Sequence, residues 1–177
     1  MTYAELHCLS NFSFLRGASH PGELVARADE LGYRAIAITD ECSLAGIVRA
    51  WNEARERDIK LICGAEFYLE EGFHLVLLAP DRRAYAELCA LISQARLHSA
   101  KGEYRLDLRQ LRLGCQHCLA IWRADARQLV SEDCDSLLAQ FSDRLWLGFS
   151  VHHQQRVEDH YLHLYDFAHQ HRLPMVA

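Results

Sequence analysis

The first forty residues of the chain place a strand, a tight turn, a helix and a second strand in direct succession. Residues 3–8 predict a strand, and Pro21 stands where proline is favoured, in the first turn of the helix that follows. Residues 35–38 are a continuous apolar run, which is typical of a short strand buried on both faces. This strand–helix–strand order predicts a parallel sheet covered by helices.

The same alternation continues to the end of the chain. Apolar runs at 73–79, 118–122 and 145–149 predict further strands, and helical periodicity between them predicts helices. Periodicity alone is compatible with both a barrel and an open doubly wound sheet. No internal repeat or linker interrupts the pattern, so we expect one domain over residues 1–177. Residues 173–177 predict a strand that is just beginning, and we therefore expect a fragment of a longer protein.

Composition excludes several classes of protein. The 177 residues include 24 acidic and 19 basic side chains, a net charge of -5, with no cluster of Lys and Arg that could grip nucleic acid by itself. The seven cysteines are odd in number and irregularly spaced, which favours a reducing cytoplasm over a secreted disulfide framework. No apolar stretch approaches the roughly 20 residues that span a bilayer. We therefore expect a soluble cytoplasmic protein without membrane contact.

Side chains that bind metals or transfer protons lie at or near the ends of most predicted strands. They are His7, Asp40, Glu41, Glu66, His74, His152 and His153. In a parallel α/β barrel the active site lies where the strands end and the loops begin. Imidazoles and carboxylates converging from different strands are the ligands that a hydrolytic Zn or Mn centre needs.

Six ordered motifs give the chain a resemblance to a known family. They lie at residues 5–10 (ELHCLS), 12–19 (FSFLRGAS), 37–40 (AITD), 63–66 (CGAE), 74–79 (HLVLLA) and 102–106 (GEYRL). With these motifs the chain resembles the PHP (polymerase and histidinol phosphatase) domain at the N-terminus of bacterial C-family DNA polymerases, and most closely their error-prone, DnaE-like branch. The resemblance implies an α/β fold, a distorted (β/α)7 TIM-like barrel with a multinuclear metal site on its rim. Here that barrel would be truncated before its last strands.

The resemblance also implies where metal ligands are kept. His7 matches the first histidine of the family's His-x-His motif, Glu66 matches a ligand in its Gly-Ala-Glu motif, and His74 matches the histidine that opens the next strand. The closing Asp-x-His motif of the family would follow Ala177. Whether His152 or His153 takes part is left open.

At three further positions of the family's metal site, this chain has a different type of residue. Leu9 stands in place of the second histidine and Arg16 in place of an acidic residue, so both positions are degenerate. Glu41 stands in place of a histidine and could still bind a metal. We hypothesise that Arg16 pairs with Glu41 or Glu66, so that a permanently charged guanidinium replaces the metal charge.

Two functions follow from this resemblance. The first is a degenerate, catalytically inactive PHP domain with a structural role in an error-prone DNA polymerase for damage tolerance and induced mutagenesis. The alternative is an active metal-dependent phosphoesterase, either a phosphatase or a proofreading exonuclease, but Leu9 and Arg16 argue against it.

Cofactor and partner expectations follow the first function. We expect no cofactor in this chain. If the metal site is still functional, we expect it to bind Zn or Mn. The expected partners are the polymerase body of the full-length chain, DNA only through that body, and a second copy covering the open edge of the truncated barrel.

A second group of metal-binding residue types lies outside these motifs. Cys115-Gln116-His117-Cys118 has the spacing of half a zinc knuckle. A single Cys-x-x-Cys pair with no second pair nearby is a weak signal, so we interpret these cysteines as packing residues.

Overall fold

The computed structural model describes residues 3–124, 129–150 and 157–177. In these residues seven strands are present: β1 Ala4–Cys8, β2 Ala35–Ile38, β3 Lys60–Tyr68, β4 His74–Ala79, β5 Leu119–Trp122, β6 Leu145–Gly148 and β7 Met175–Val176. The helices are α1 Pro21–Glu30, α2 Ile47–Ala54, α3 Arg82–Leu97, α4 Leu108–Gly114, α5 Ser131–Phe141 and α6 Val157–Gln170, with a 3₁₀ turn at Ser142–Arg144. In the described part of the chain, no helix is both long and apolar enough to cross a bilayer.

The strands form one curled sheet in the order β1-β2-β3-β4-β5-β6-β7, which is a half-barrel. This confirms the predicted α/β barrel class, but the prediction of a wholly parallel sheet is wrong. β4 runs antiparallel to both β3 and β5. The four pairs β1–β2, β2–β3, β5–β6 and β6–β7 are parallel. The physical reason is the short connection from Tyr68 to His74, because a parallel crossover needs a dozen or more residues.

The core lies mainly between the sheet and its helices. Val25, Ile38 and Ala50 belong to the cluster under α1 and α2. A larger cluster packs α3 to α6 against β3 to β6, and it includes Leu75 and Leu77 of β4. This burial of alternate strand residues is what a sheet covered by helices on one face requires.

The opposite face of the sheet carries a smaller apolar cluster. Val76 and Leu78, which alternate with the β4 residues of the large cluster, pack there with Ala37 and Ile121. A cavity of about 400 Å³ opens on this face and is lined in part by Leu78, Ile121 and Trp146. The inner face of the half-barrel is therefore apolar away from the mouth.

Candidate functional site

Strands β1, β3 and β4 bring the retained family positions together. His7 comes from β1, Glu66 from β3 and His74 from the first position of β4, where it pairs with Tyr68 in the β3–β4 register. His7 Nε2 lies 2.6 Å from Glu66 Oε2, and His74 Nε2 lies 3.1 Å from the same oxygen. One ligand atom from each residue lies within 4.8 Å of the others. This spacing suits a single cation, or a carboxylate shared by two imidazoles.

Arg16 reaches the same carboxylate from the opposite side. Its Nη1 donates to Glu41 Oε2 at 2.7 Å and also to Glu66 Oε1. Nη2 lies 3.3 Å from the hydroxyl of Tyr68, and the guanidinium stands over that ring. The structure therefore shows Arg16 paired with both carboxylates that the sequence hypothesis offered as alternatives.

The loop that carries Arg16 is folded around Asp40. The Asp40 carboxylate accepts hydrogen bonds from Ser10 N at 2.8 Å, Ser10 Oγ at 2.6 Å and Ser13 Oγ at 2.7 Å. Gly17 closes the loop, because a Cβ there would lie 1.9 Å from the Ser10 carbonyl oxygen. Asp40 is buried with its oxygens occupied by these donors. It organises the Arg16 loop and does not face the two histidines as a ligand.

Glu41 is fixed beside Glu66 by its backbone and by a tyrosine. An isolated parallel bridge joins Glu41 to Glu66, and Arg96 Nε from α3 donates to the Cys42 carbonyl at 3.0 Å. The Tyr104 hydroxyl donates to Glu41 Oε1 at 3.2 Å. The two acidic side chains therefore converge on one guanidinium.

Arg123 is a site residue that sequence reasoning missed. Its Nη1 lies 3.2 Å from His7 Nδ1, and its backbone N–H donates to the His74 carbonyl at 2.9 Å. Because a guanidinium only donates hydrogen bonds, Nδ1 of His7 is the acceptor and Nε2 carries the proton given to Glu66. The available signal was its place directly after the apolar run 119–122, the same strand-end position as other site residues.

Neighbouring groups at the site stabilise the charged forms of Glu66 and Arg16. Burial by itself would raise the pKa of Glu66, but the hydrogen bonds from His7 and His74 outweigh it and hold the pKa well below its usual range. Burial would lower the pKa of Arg16, but Glu41 and Glu66 raise it above its usual value. Glu66 is therefore an anion at neutral pH although its side chain is fully buried.

Comparison with known proteins gives the family. The model of the PHP domain matches residues 5–164 of the chain. The chain belongs to the PHP domain family. The resemblance stated from the sequence motifs is confirmed.

Two similar proteins align with nearly the whole of this chain. An error-prone DNA polymerase of Alkalilimnicola ehrlichii is 52% identical over 99% of this chain, and the chain spans 17% of that relative's length. An error-prone DNA polymerase of Pseudomonas aeruginosa is 51% identical over 99% of this chain, again with 17% of its own length covered.

Solved structures share the fold at low sequence identity. A putative metal-dependent phosphoesterase from Bifidobacterium adolescentis superposes with a TM-score of 0.67 at 16% identity, over 98% of this chain and 85% of its own. An amidohydrolase from Chromobacterium violaceum gives a TM-score of 0.65 at 15% identity, over the same shares of the two chains.

The residues that the structure describes do not by themselves provide the ligands of a multinuclear metal centre. Leu9, half-buried directly after β1, offers no ligand atom. Arg16 occupies Glu41 and one oxygen of Glu66 with a positive charge. In residues 3–124, 129–150 and 157–177, the donors that converge at the mouth are His7, Glu66 and His74. His152 and His153 lie outside the described residues.

Proposed function

We propose that this chain is the PHP domain of an error-prone DNA polymerase and that it has lost hydrolytic activity and serves a structural role. The chain is about half identical to two such polymerases and spans 17% of the length of each, which supports a place within a larger chain. We assign residues 1–177 to one PHP domain, with the polymerase domains C-terminal to it. The parent enzyme acts in damage tolerance, translesion synthesis and induced mutagenesis.

The observation that carries this proposal is the double ion pair of Arg16. A guanidinium is always charged and cannot leave its site by losing a proton. It binds the two carboxylates that would otherwise neutralise a cation. An ion bound to Glu66 would lie close to this guanidinium and be repelled by it, so Arg16 disfavours metal binding electrostatically.

The structural role of the site is to join separate elements of the half-barrel. Glu66 of β3 accepts hydrogen bonds from His7 of β1, from His74 of β4 and from Arg16 of the loop between β1 and α1. A buried carboxylate that satisfies three donors links these elements in one arrangement. We propose that this network keeps the mouth of the barrel folded as a base for the polymerase body.

Metal-dependent hydrolysis by the full-length protein tests the proposal. With Mn²⁺ and a chromogenic phosphate monoester, we expect no turnover above that of a blank, and no Mn²⁺ bound at the mouth by electron paramagnetic resonance. Mn²⁺ is chosen because it prefers oxygen and imidazole ligands to thiolates.

A matched variant keeps a negative result informative. Leu9→His with Arg16→Asp restores the family's residues at both degenerate positions, and we expect this variant to bind Mn²⁺ where the natural sequence does not. Stoichiometric Mn²⁺ binding and turnover by the natural sequence would refute the loss of function.

A working phosphoesterase is the second candidate function. It is favoured by the spacing of His7, Glu66 and His74 and by the fold shared with the Bifidobacterium adolescentis protein. A bound Zn or Mn ion would supply an activated water for attack on phosphorus. In that case Glu66 would have to exchange Arg16 for the ion, so Arg16→Ala would raise activity. Absence of turnover in this variant, as in the natural sequence, supports the structural role.

Partners and location complete the proposal. We propose that the polymerase body packs against this domain, that DNA contacts lie in that body, and that the protein is cytoplasmic. In the isolated chain a second copy would cover the open edge of the half-barrel, where β1 and β7 are the outer strands of the described sheet. Sedimentation of the isolated chain tests this, since a monomer at all concentrations argues against the second copy.

A further inference from the structure

A second cluster of metal-binding side chains lies at the other end of the sheet. Cys115 directly follows α4, and Cys118 directly precedes β5. In the β4–β5 register Leu119 pairs with Leu78, whereas Trp122 pairs with Leu75 beside His74. Cys118 is therefore at the end of the sheet opposite the mouth, where fold stability rather than catalysis is usually located.

Glu87 of α3 completes this cluster. One oxygen of its carboxylate and the Sγ atoms of Cys115 and Cys118 all lie within 4.8 Å of one another, and Cys118 Sγ is 3.9 Å from Glu87 Oε2. Around a tetrahedral zinc ion, sulfur and oxygen ligands stand about 3.5–3.8 Å apart, given the usual zinc–ligand distances. Shifts of an ångström or less would bring the three atoms to that spacing.

Neighbouring groups hold Glu87 in place. Its Oε2 accepts backbone hydrogen bonds from Gln116 at 3.0 Å and His117 at 2.9 Å, and Oε1 lies 2.6 Å from His117 Nδ1. Each carboxylate oxygen has about two acceptor positions, so with these three donors Oε1 keeps one position for a further ligand. Metal-ligating carboxylates are typically fixed by such outer hydrogen bonds.

Burial shields the sulfur side of this cluster from solvent. Both cysteines are fully buried, while the Glu87 side chain is 19% exposed. An ion between them would be shielded on the thiolate side and open on the Glu87 side, where water can complete a tetrahedron.

We propose that Cys115, Cys118 and Glu87 bind a zinc ion that ties α3 to the connection between α4 and β5. Binding releases the two thiol protons to solvent, leaves both sulfurs as thiolates and involves no redox change. Thiolates select zinc over Mg²⁺ or Mn²⁺. The sequence alone gives no reason to group Glu87 with these cysteines, because Glu87 is 28 residues before Cys115 and only the fold brings it near.

Zinc content of the full-length protein, purified under reducing conditions, tests this proposal. We expect Cys115→Ser with Cys118→Ser to lose one equivalent of zinc relative to the natural sequence. The matched control is Cys134→Ser, a buried cysteine of the same core cluster, which keeps its zinc. Equal zinc in the natural protein and the double variant overturns the proposal, and so does mass-spectrometric identification of a Cys115–Cys118 disulfide.

Cobalt substitution keeps the test valid if the double variant fails to fold. The natural protein loaded with Co²⁺ should show thiolate-to-cobalt charge-transfer absorption, and its absence overturns the proposal. Because outer-sphere partners typically contribute 10- to 100-fold in metal affinity, His117→Ala should weaken zinc binding by about 10-fold or more. Unchanged affinity in this variant contradicts the assigned role of Glu87, which His117 positions.

Discussion

Glu66 is the residue on which the mouth of the barrel is centred. Its side chain is fully buried and ionised, a state that is unfavourable unless hydrogen bonds and opposite charge compensate for the lost hydration. His7 and His74 bond one of its oxygens and Arg16 the other. The carboxylate is thus stable without a metal ion, which is why a retained family ligand does not by itself indicate a retained metal.

Removing the guanidinium should destabilise the fold. Arg16→Ala leaves Glu66 buried with one oxygen unpaired, and breaking a buried pair costs roughly 3–5 kcal/mol. The Arg16 side chain is 34% exposed, and two histidines still bond Glu66 in the variant. We therefore expect the free energy of unfolding to fall by an amount near the lower end of this range, about 3 kcal/mol. Urea unfolding measures it. Arg27→Ala is the control, since its pair with Glu30 lies on the surface and contributes at most about 1 kcal/mol.

The depressed pKa of Glu66 also predicts a pH dependence. In the folded state the hydrogen bonds from His7 and His74 overcome burial and lower the pKa from its ordinary value of 4.5. The ionised form therefore stabilises the fold above about pH 4.5, and this contribution is lost as the pH falls towards the folded-state pKa. The difference in unfolding free energy between the natural protein and Glu66→Gln should shrink on acidification. A difference that stays constant or grows contradicts the assigned pairing.

At the scale of elements, β3 is the strand on which the site depends, and Gly64 lets its neighbours approach. A Cβ at Gly64 would lie 2.7 Å from Leu78 Cδ2, 2.8 Å from the Leu77 carbonyl oxygen and 2.9 Å from Thr39 Cγ2. β2 and β4 can therefore flank β3 closely only if this position has no side chain.

Gly64→Ala should therefore be destabilising. Overpacking of this kind costs typically about 1–3 kcal/mol, measured by thermal or urea unfolding. The matched control is Gly22→Ala in α1, where the nearest atom to the new Cβ is 3.7 Å away. That change should be neutral or stabilising by up to about 1 kcal/mol. An equal decrease in the free energy of unfolding of the two variants would show that β2 and β4 do not pack tightly against β3 at Gly64.

Elements with strong local signals could be predicted from the sequence, and elements set by long-range pairing could not. β2 was readable from its apolar run, and α1 from Pro21 at its start. The reversal of β4 was not readable, because an apolar strand has the same pattern in either direction. The continuity of β3 through Gly64 was not readable either, because it is set by pairing with β2 and β4 on both sides.

The sequence also predicted some residues of the candidate site and missed another. The family motifs identified His7, Glu66 and His74, and the charge of Arg16 suggested its pairing. Arg123 was missed because its contact with His7 joins positions 116 residues apart, and no local pattern encodes that distance.

At the scale of the whole molecule, the half-barrel has two chemically different ends. The mouth holds a network of carboxylates, imidazoles and guanidinium groups, and the opposite end holds paired thiols beside Glu87. Family resemblance directs attention to the mouth as the metal site. The ion pairs instead place Arg16 at the mouth, and we propose zinc at the thiols.

Anomalous diffraction from crystals of the full-length protein grown with Mn²⁺ tests this account most directly, because it locates each ion. We expect no manganese peak between His7, Glu66 and His74, and Arg16 in contact with Glu66. Strong manganese peaks bound by these three residues, with Arg16 turned into solvent, would contradict the replacement of the metal by a guanidinium.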